Sequence, residues 1–337
     1  DADSPTPSGH EEEGWFFTWT PEELKTALGS ERSSRFMSYY GVTARGNFEG
    51  RNILSTRGPT VVELASSLRR PAEELEEELE QSRQELHTLR GLRPPPGLDD
   101  KILAAWNGLM ISAFARSAGP LGEPAYLQRA ERAAEFILGS MRRPDGRLLR
   151  SHRGEPGEAQ AVLDDYAMME AALLDLFEAT WEPRWLDEAL ALQKILDEHF
   201  ADPAQGGYFL TADDAAPLLV RQKPDWDGAL PSGNSIAAMN LARLAELTGQ
   251  EAYSAELGRL ASALSRVLHR SPTGVPALLT ALDFAIGPTL EVVFVVPSGL
   301  EEAAPFVEGL DRTWLPRKVV VGAVEGPGLD ALATRVS

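Results

Sequence analysis

Three stretches decide the fold: LDDKILAAWNGLMISAFA (98–115), LDDYAMMEAALLDLFEAT (163–180) and DGALPSGNSIAAMNLARLAELTG (227–249). Each runs from acidic or small polar residues into an apolar helix. Asp99 and Asp164 stand 65 residues apart, Asp164 and Asp227 63. A repeat of that length is one supersecondary unit that cannot bury its apolar face alone and must stack on its neighbours. Each first helix is followed by a second with a similar opening: Glu123-Pro124-Ala125-Tyr126, Glu182-Pro183-Arg184-Trp185 and Gln250-Glu251-Ala252-Tyr253. Pro or Glu in a first turn suits a helix N-terminus.

The two helices of each unit differ in pattern. The first is apolar nearly all round, as a helix covered on several sides must be. The second (AYLQRAERAAEFILGSM, RWLDEALALQKILDEHF, AYSAELGRLASALSRVLH) has one apolar stripe and one charged face, which places it outside. The repeat is therefore an inner helix, an outer helix and a return. The returns PDGRLLRSHRG and GGYFLTADDAAPLLVRQK carry β-forming residues and turn signals, so short hairpins are expected at one end. A last inner helix is expected near 275–286. Polar motifs at the same end of every inner helix favour a closed ring over an open solenoid. The stretch 60–93 reads as a separate helix broken at Pro71, with a solvated second half. Pro94-Pro95-Pro96-Gly97 reads as a rigid connector. Past 288, LEVVFVVPSG and PRKVVVGAV read as short strands flanking a helix, giving a toroid portion over 1–287 and an α/β appendage over 288–337.

Composition sets the outer limits. The chain has 337 residues, 43% of them hydrophobic, and 51 acidic against 32 basic groups, for a net charge of −19. That balance argues against wrapping nucleic acid, which needs a basic footprint to displace phosphate counterions. No apolar run is long enough for a membrane span, and a cytoplasmic location is expected. Cysteine is absent, which excludes disulfides, thiolate metal sites and cysteine nucleophiles within these residues.

Five motifs in order, GHEEEGWFFTWTPEEL, YYGVTARGNFEGRNIL, LDDKILAAWNGLMISAFA, LDDYAMMEAALLDLFEAT and DGALPSGNSIAAMNLARLA, resemble the C-terminal region of the thioredoxin-domain-containing, spermatogenesis-associated protein family. The resemblance covers nearly the whole chain. It implies an all-α fold, an incomplete (α/α)6 toroid similar to six-hairpin glycosidases and sugar 2-epimerases, with short β hairpins and a small α/β tail. It also implies that Asp1-Ala2-Asp3 falls mid-toroid, so that the thioredoxin-like domain and about two hairpins precede it. Residues 5–10 read as an insertion relative to the family pattern. A ring with hairpins missing exposes apolar faces. The expected partners are therefore the missing N-terminal half or a second copy of the chain.

The repeat brings Asp99, Asp100, Asp164, Asp165 and Asp227 to one end of the ring. Helix capping is one explanation for them, because a carboxylate at an N-terminus accepts the free N–H groups there. Glycoside hydrolysis is another, since it needs one protonated and one ionised carboxylic group across the bond. The second Asp of each pair has less reason to cap, so Asp100 and Asp165 are the catalytic candidates. Trp106 and Asn107 are expected to stack on and hydrogen-bond a small saccharide, with Tyr166, Asp227 and Asn234 nearby. Arg221 would bind an anionic sugar or pair with a neighbouring carboxylate. A 2-epimerase would need histidines at the mouth, and His152 and His10 are the candidates. Asp1, Asp3 and Glu11–Glu13 match no metal-loop spacing, so neither metal nor cofactor is expected. The competing function is a non-catalytic scaffold that presents partners to a thioredoxin-like domain.

Overall fold

The computed structural model describes residues 2–336, so Asp1 of the acidic N-terminal motif lies outside the described residues. The chain divides into two compact units, one ending at Asp100 and the other beginning at Lys101.

In the first unit, strands β1 (Asp3–Pro5) and β2 (Glu11–Glu13) form an antiparallel hairpin, with the 5–10 insertion as its turn. Helix α1 (Pro21–Tyr40) opens on a capping box in which Thr20 and Glu23 satisfy one another's backbone N–H groups. Helix α2 (Val61–Leu68) stops just before Pro71, and Pro71 caps α3 (Ala72–Arg90). α3 is less solvated than its composition implies. Leu75, Leu79, Ser82 and Leu86, at three- and four-residue spacing, form a buried stripe, and α3 packs on α1 and α2. Arg93 binds the segment before α1. Its Nη1 donates to the carbonyls of Trp15, Phe16 and Thr18, and its guanidinium lies 4.1 Å from the Trp19 ring centroid.

The second unit carries the incomplete (α/α)6 toroid as three helical hairpins and a further inner helix. The hairpins are α4 (Ala104–Leu121) with α5 (Pro124–Ser140), α6 (Leu163–Thr180) with α7 (Pro183–His199), and α8 (Gly233–Thr248) with α9 (Glu251–Ala263). After the short α10 (Ser265–Arg270) comes the inner helix α11 (Pro276–Ile286). α4 packs on α6, α6 on α8, and α8 on α11, so the helices predicted as inner form one row. α6 is buried on nearly every face, whereas α7 keeps one buried stripe of Trp185, Leu186, Ala189, Leu192, Gln193 and Leu196. The first return builds a three-stranded sheet from β3 (Ile102–Leu103), β4 (Ser151–Arg153) and β5 (Glu155–Pro156), in that spatial order. The second return is mostly irregular, with a single bridge between Ala201 and Tyr208.

At the other ends of the inner helices sits the α/β tail: β6 (Leu290–Val296), α12 (Ala304–Asp311), β7 (Lys318–Val324) and α13 (Pro327–Ala333). β6 and β7 pair in parallel. β7 lies against α6 and α8, and α12 against α4. A buried ion triad anchors this attachment. Arg243 on α8 bridges Asp175 (2.9 Å) and Glu178 (2.6 Å) on α6, while the second oxygen of Glu178 accepts the Val320 N–H. No helix among the described residues is long and apolar enough to cross a membrane.

The α4–α6 contact is close enough to dictate sequence. A Cβ built on Gly108 would lie 2.6 Å from the backbone carbonyl of Met168, which cannot move without shifting α6. Gly108→Ala is therefore expected to destabilise the protein by about 1–3 kcal/mol, the usual range for overpacking. Gly139→Ala, in helical backbone with nothing within 4 Å, should stabilise it by up to about 1 kcal/mol. Urea unfolding of the two variants beside the parent chain measures both effects.

Candidate functional site

Of the four inner helices only α8 is capped by its own N-cap side chain, Ser232, which accepts the Ser235 N–H. The residues at the N-cap positions of α4, α6 and α11 are Leu103, Val162 and Val275, which have no acceptor side chain. The missing acceptors come from elsewhere in the row. Asp165 on α6 accepts the Ala105 N–H of α4 through Oδ1 (3.0 Å), and its Oδ2 accepts the Val162 N–H at its own helix start (2.9 Å). Asp164 accepts the Gly233 N–H of α8 (3.0 Å). Asp227 accepts the Ser232 N–H with one oxygen and the Ala277 N–H of α11 with the other, both at 2.9 Å. The carboxylates thus cap neighbouring helices rather than standing free around a mouth.

The expectation that the second Asp of a pair has less reason to cap is corrected at Asp165, which caps as Asp164 does. Asp165, 1% exposed, gives both its oxygens to backbone N–H groups. Asp99 and Asp100 head no helix, because β3 intervenes before α4 starts at Ala104. Asp100 is exposed and closes the first unit. Gly233 meets a steric requirement, since a Cβ there would come within 2.6 Å of Asp164 Oδ1.

The other candidates also make specific bonds. Tyr166 is buried; its hydroxyl accepts the Leu148 N–H, and burial pushes its pKa up to about 12. Asn234, fully buried, accepts from Tyr208 N and donates to the carbonyls of Tyr208 and Pro224, pinning the second return. Arg221 donates to the carbonyls of His199 and Thr211 and lies 4.2 Å from the Phe209 ring centroid, so its partners are loop carbonyls rather than a carboxylate. His152 turns edge-on to Phe136 of the outer helix α5, with ring centroids 5.1 Å apart. His10 sits in the exposed turn of the β1–β2 hairpin, where its carbonyl accepts from Thr6.

Trp106 remains open. It lies in the first turn of α4 and is 60% exposed, and Trp226, just before Asp227, is 54% exposed. Asn107, one residue on, donates to the Leu103 carbonyl. The Arg150 carbonyl accepts the Ala104 N–H, and the Arg150 guanidinium lies 3.6 Å from Asp165. The backbone of this first turn thus meets the Arg150 carbonyl and the Asp165 carboxylate, while Trp106 on the same turn is exposed. Burial pushes the Asp165 carboxyl up to about 6 against the opposing pull of the Val162 N–H and Arg150. Burial likewise raises Asp164.

Glu170, in the middle of α6, was not among the sequence candidates. It is completely buried, and neither carboxyl oxygen has a hydrogen-bond partner within 3.5 Å. Burial pushes its pKa well above the carboxylate range, and the Asn240 side chain on α8 is the main group favouring the charged form. Among the described residues, every buried side-chain oxygen without a partner belongs to Glu170, Gln193, Asn240 or Glu256, which lie on α6, α7, α8 and α9. The available sequence signal was a lone acidic residue in the middle of an otherwise apolar turn, AMMEAALL. A second cluster, His199 with Asp213 and Asp214, is held by Arg147. That guanidinium bonds both oxygens of Asp214 and the His199 ring.

These features define a class: an (α/α) toroid whose inner-helix N-termini are laced together by acidic residues. No family model matches the chain. It resembles the spermatogenesis-associated protein family along nearly all its length. It is 32% identical to spermatogenesis-associated protein 20 of Homo sapiens, with 97% of this chain and 45% of the relative covered. The Mus musculus counterpart is 33% identical over the same shares. An uncharacterised protein of Caenorhabditis elegans is 33% identical over 85% of this chain and 42% of its own length. The chain thus spans less than half the length of these relatives. Among solved structures, a family 76 glycoside hydrolase from a bovine Bacteroides thetaiotaomicron strain superposes with a TM-score of 0.44 at 13% identity, covering 78% of this chain and 62% of that one. The cellobiose 2-epimerase of Spirochaeta thermophila gives 0.41 at 18% identity, over 53% and 45%.

Two predictions follow from the buried acids. A carboxyl whose native pKa is raised to about 6 from an ordinary value near 4 holds its proton more tightly folded than unfolded. Its contribution to stability is therefore full below pH ~4 and falls as pH rises to ~6. Asp165→Asn should flatten that part of the stability–pH curve in urea titrations, and Asp165→Ala should cost about 1–3 kcal/mol for each N–H left bare. For Glu170, whose carboxyl pKa burial also raises, the same sign holds. Glu170→Gln, which keeps the shape of the neutral acid, should gain stability relative to the parent chain as pH increases.

Proposed function

We propose that the start of α4 is a saccharide-binding face, with Trp106 as the stacking platform and the half-exposed Arg150 as its polar flank. The observation that carries this reading is the exposure of Trp106, a large flat side chain in the first turn of α4, whose first N–H the Arg150 carbonyl accepts. An aromatic face set beside a few polar groups is a common way to fix the orientation of a small ligand. Asp165 has the proton affinity of a general acid, but both its oxygens already accept backbone N–H groups. Binding is therefore favoured over hydrolysis by a carboxylate pair. Isomerisation through His152 is favoured less still, because that ring packs on Phe136.

A second reading is supported by the same helix. Trp106, Met110 and Leu121 are all exposed along α4, spaced as an apolar stripe suited to another helix. A non-catalytic scaffold would use that stripe to seat another part of the ring, from an N-terminal half of the protein or from a second copy.

Trp106 separates the two readings. In a thermal-shift screen against neutral, acidic and phosphorylated sugars, a ligand at 100 times its dissociation constant should stabilise the chain by about 2.7 kcal/mol. Trp106→Ala should abolish that shift while leaving the ligand-free melting temperature within a few degrees. A chain that answers no sugar, but loses association with a helical partner on Trp106→Ala, would establish the scaffold instead.

A further inference from the structure

The α/β tail ends in an open sheet edge. β6 and β7 make a two-stranded parallel sheet, an arrangement that normally occurs inside larger sheets covered on both faces. β7 meets that requirement. Val319 to Ala323 are all buried, and the outward Val320 N–H is taken by Glu178. β6 does not, because among the described residues no strand lies on its other side, and Glu291, Val293 and Val295 are exposed.

The ladder shows which way the β6 backbone points. The Leu290 N–H donates to the Arg317 carbonyl and the Glu325 N–H to the Val296 carbonyl, so the even-numbered residues of β6 bond inward to β7. By the alternation of a parallel ladder, Glu291, Val293 and Val295 present their N–H and C=O groups along the free edge. Natural edges of this kind are usually blunted by lysine, proline or a bulge. β6 reads LEVVFVV, pairs through seven regular residues and has none of these devices.

We propose that β6 is a docking edge, onto which an extended segment of a partner protein, apolar on one face and basic on the other, adds as a third strand. Backbone hydrogen bonds would supply affinity and the alternating side chains selectivity. Charge identifies the occupant. Exposed Glu291, Glu301, Glu302 and Glu308 lie on β6 and its crossover, against two arginines, Arg312 and Arg317, which already pair with Glu308 and Asp283. A second copy of a chain with net charge −19 would be repelled there, whereas a basic strand would be attracted.

The test titrates the full chain into a fluorescein-labelled peptide of alternating valine and lysine, with a valine–glutamate peptide as the control. The valine–lysine peptide should bind and the glutamate peptide should not. Val293→Pro removes an outward N–H and leaves the β6–β7 ladder intact, so it should weaken binding by at least about tenfold, while Val293→Thr should not. If circular dichroism shows that the proline variant is unfolded, Val293→Lys keeps the N–H, repels the basic strand and should give the same loss. The proposal fails if the lysine peptide does not bind at roughly 1 mM, if both peptides bind alike, or if the edge variants bind as the parent does. It also fails if the chain alone dimerises and Val293→Pro abolishes the dimer, because the edge would then belong to a second copy.

Discussion

The toroid depends on carboxylates that cap helices other than their own. A helix start leaves four N–H groups without intrahelical partners, and burying them unpaired costs about as much as a lost hydrogen bond for each. In this chain three of the four inner helices, α4, α6 and α11, begin on leucine or valine, which pack well but accept nothing, while α8 begins on Ser232. Asp164, Asp165 and Asp227 supply the acceptors from the adjoining helix or the loop before it. Each of these hydrogen bonds also fixes the spacing and register of two inner helices. Asp164, Asp165 and Asp227 thus direct their carboxylate oxygens to the helix starts.

The opposite end is held differently. Arg243, Asp175 and Glu178 form a charged knot between α6 and α8, and Glu178 extends it to the backbone of β7. Burial of such a group is tolerable because each charge meets an opposite one, while removal of one partner would strand the others. The row is therefore tied by backbone-directed carboxylates at one end and by an ion triad at the other. Leucine, alanine and methionine fill the layer between. Glu170 is the exception within that layer, and its burial beside Asn240 favours the neutral acid.

Much of the fold was legible in the sequence because helix periodicity and repeat spacing are local signals. The inner and outer helices fall where apolar and one-sided patterns placed them, and α2 and α3 part at Pro71 as expected. The stripe of leucines on α3 was harder to see, because its glutamates mask a spacing that only α1 makes meaningful. The site was much less legible. Asp165 and Ala105 are 60 residues apart, and nothing near either residue says that one will cap the other. Arg221 and Asn234 suggested ligand groups because both are polar and near a turn. Whether such groups meet a ligand or a loop carbonyl depends on how an irregular return folds back. Trp106 stood out by residue type, and its exposure is what the structure adds.

Capping across the repeat also bears on how such a chain can be divided. In a simple solenoid, stability is roughly a sum of intrinsic repeat terms and neighbour interfaces, and fragments hold together when the first kind is large. Here part of each repeat's intrinsic term has moved into its interface, because α4 and α11 receive side-chain acceptors only once a neighbour has docked and α8 gains a second one from Asp164 beside its own Ser232. An excised hairpin would have a bare helix start on one side and an idle carboxylate on the other. The row should then melt as a single cooperative block, and the smallest autonomous piece is set by where the chain of borrowed caps can be cut.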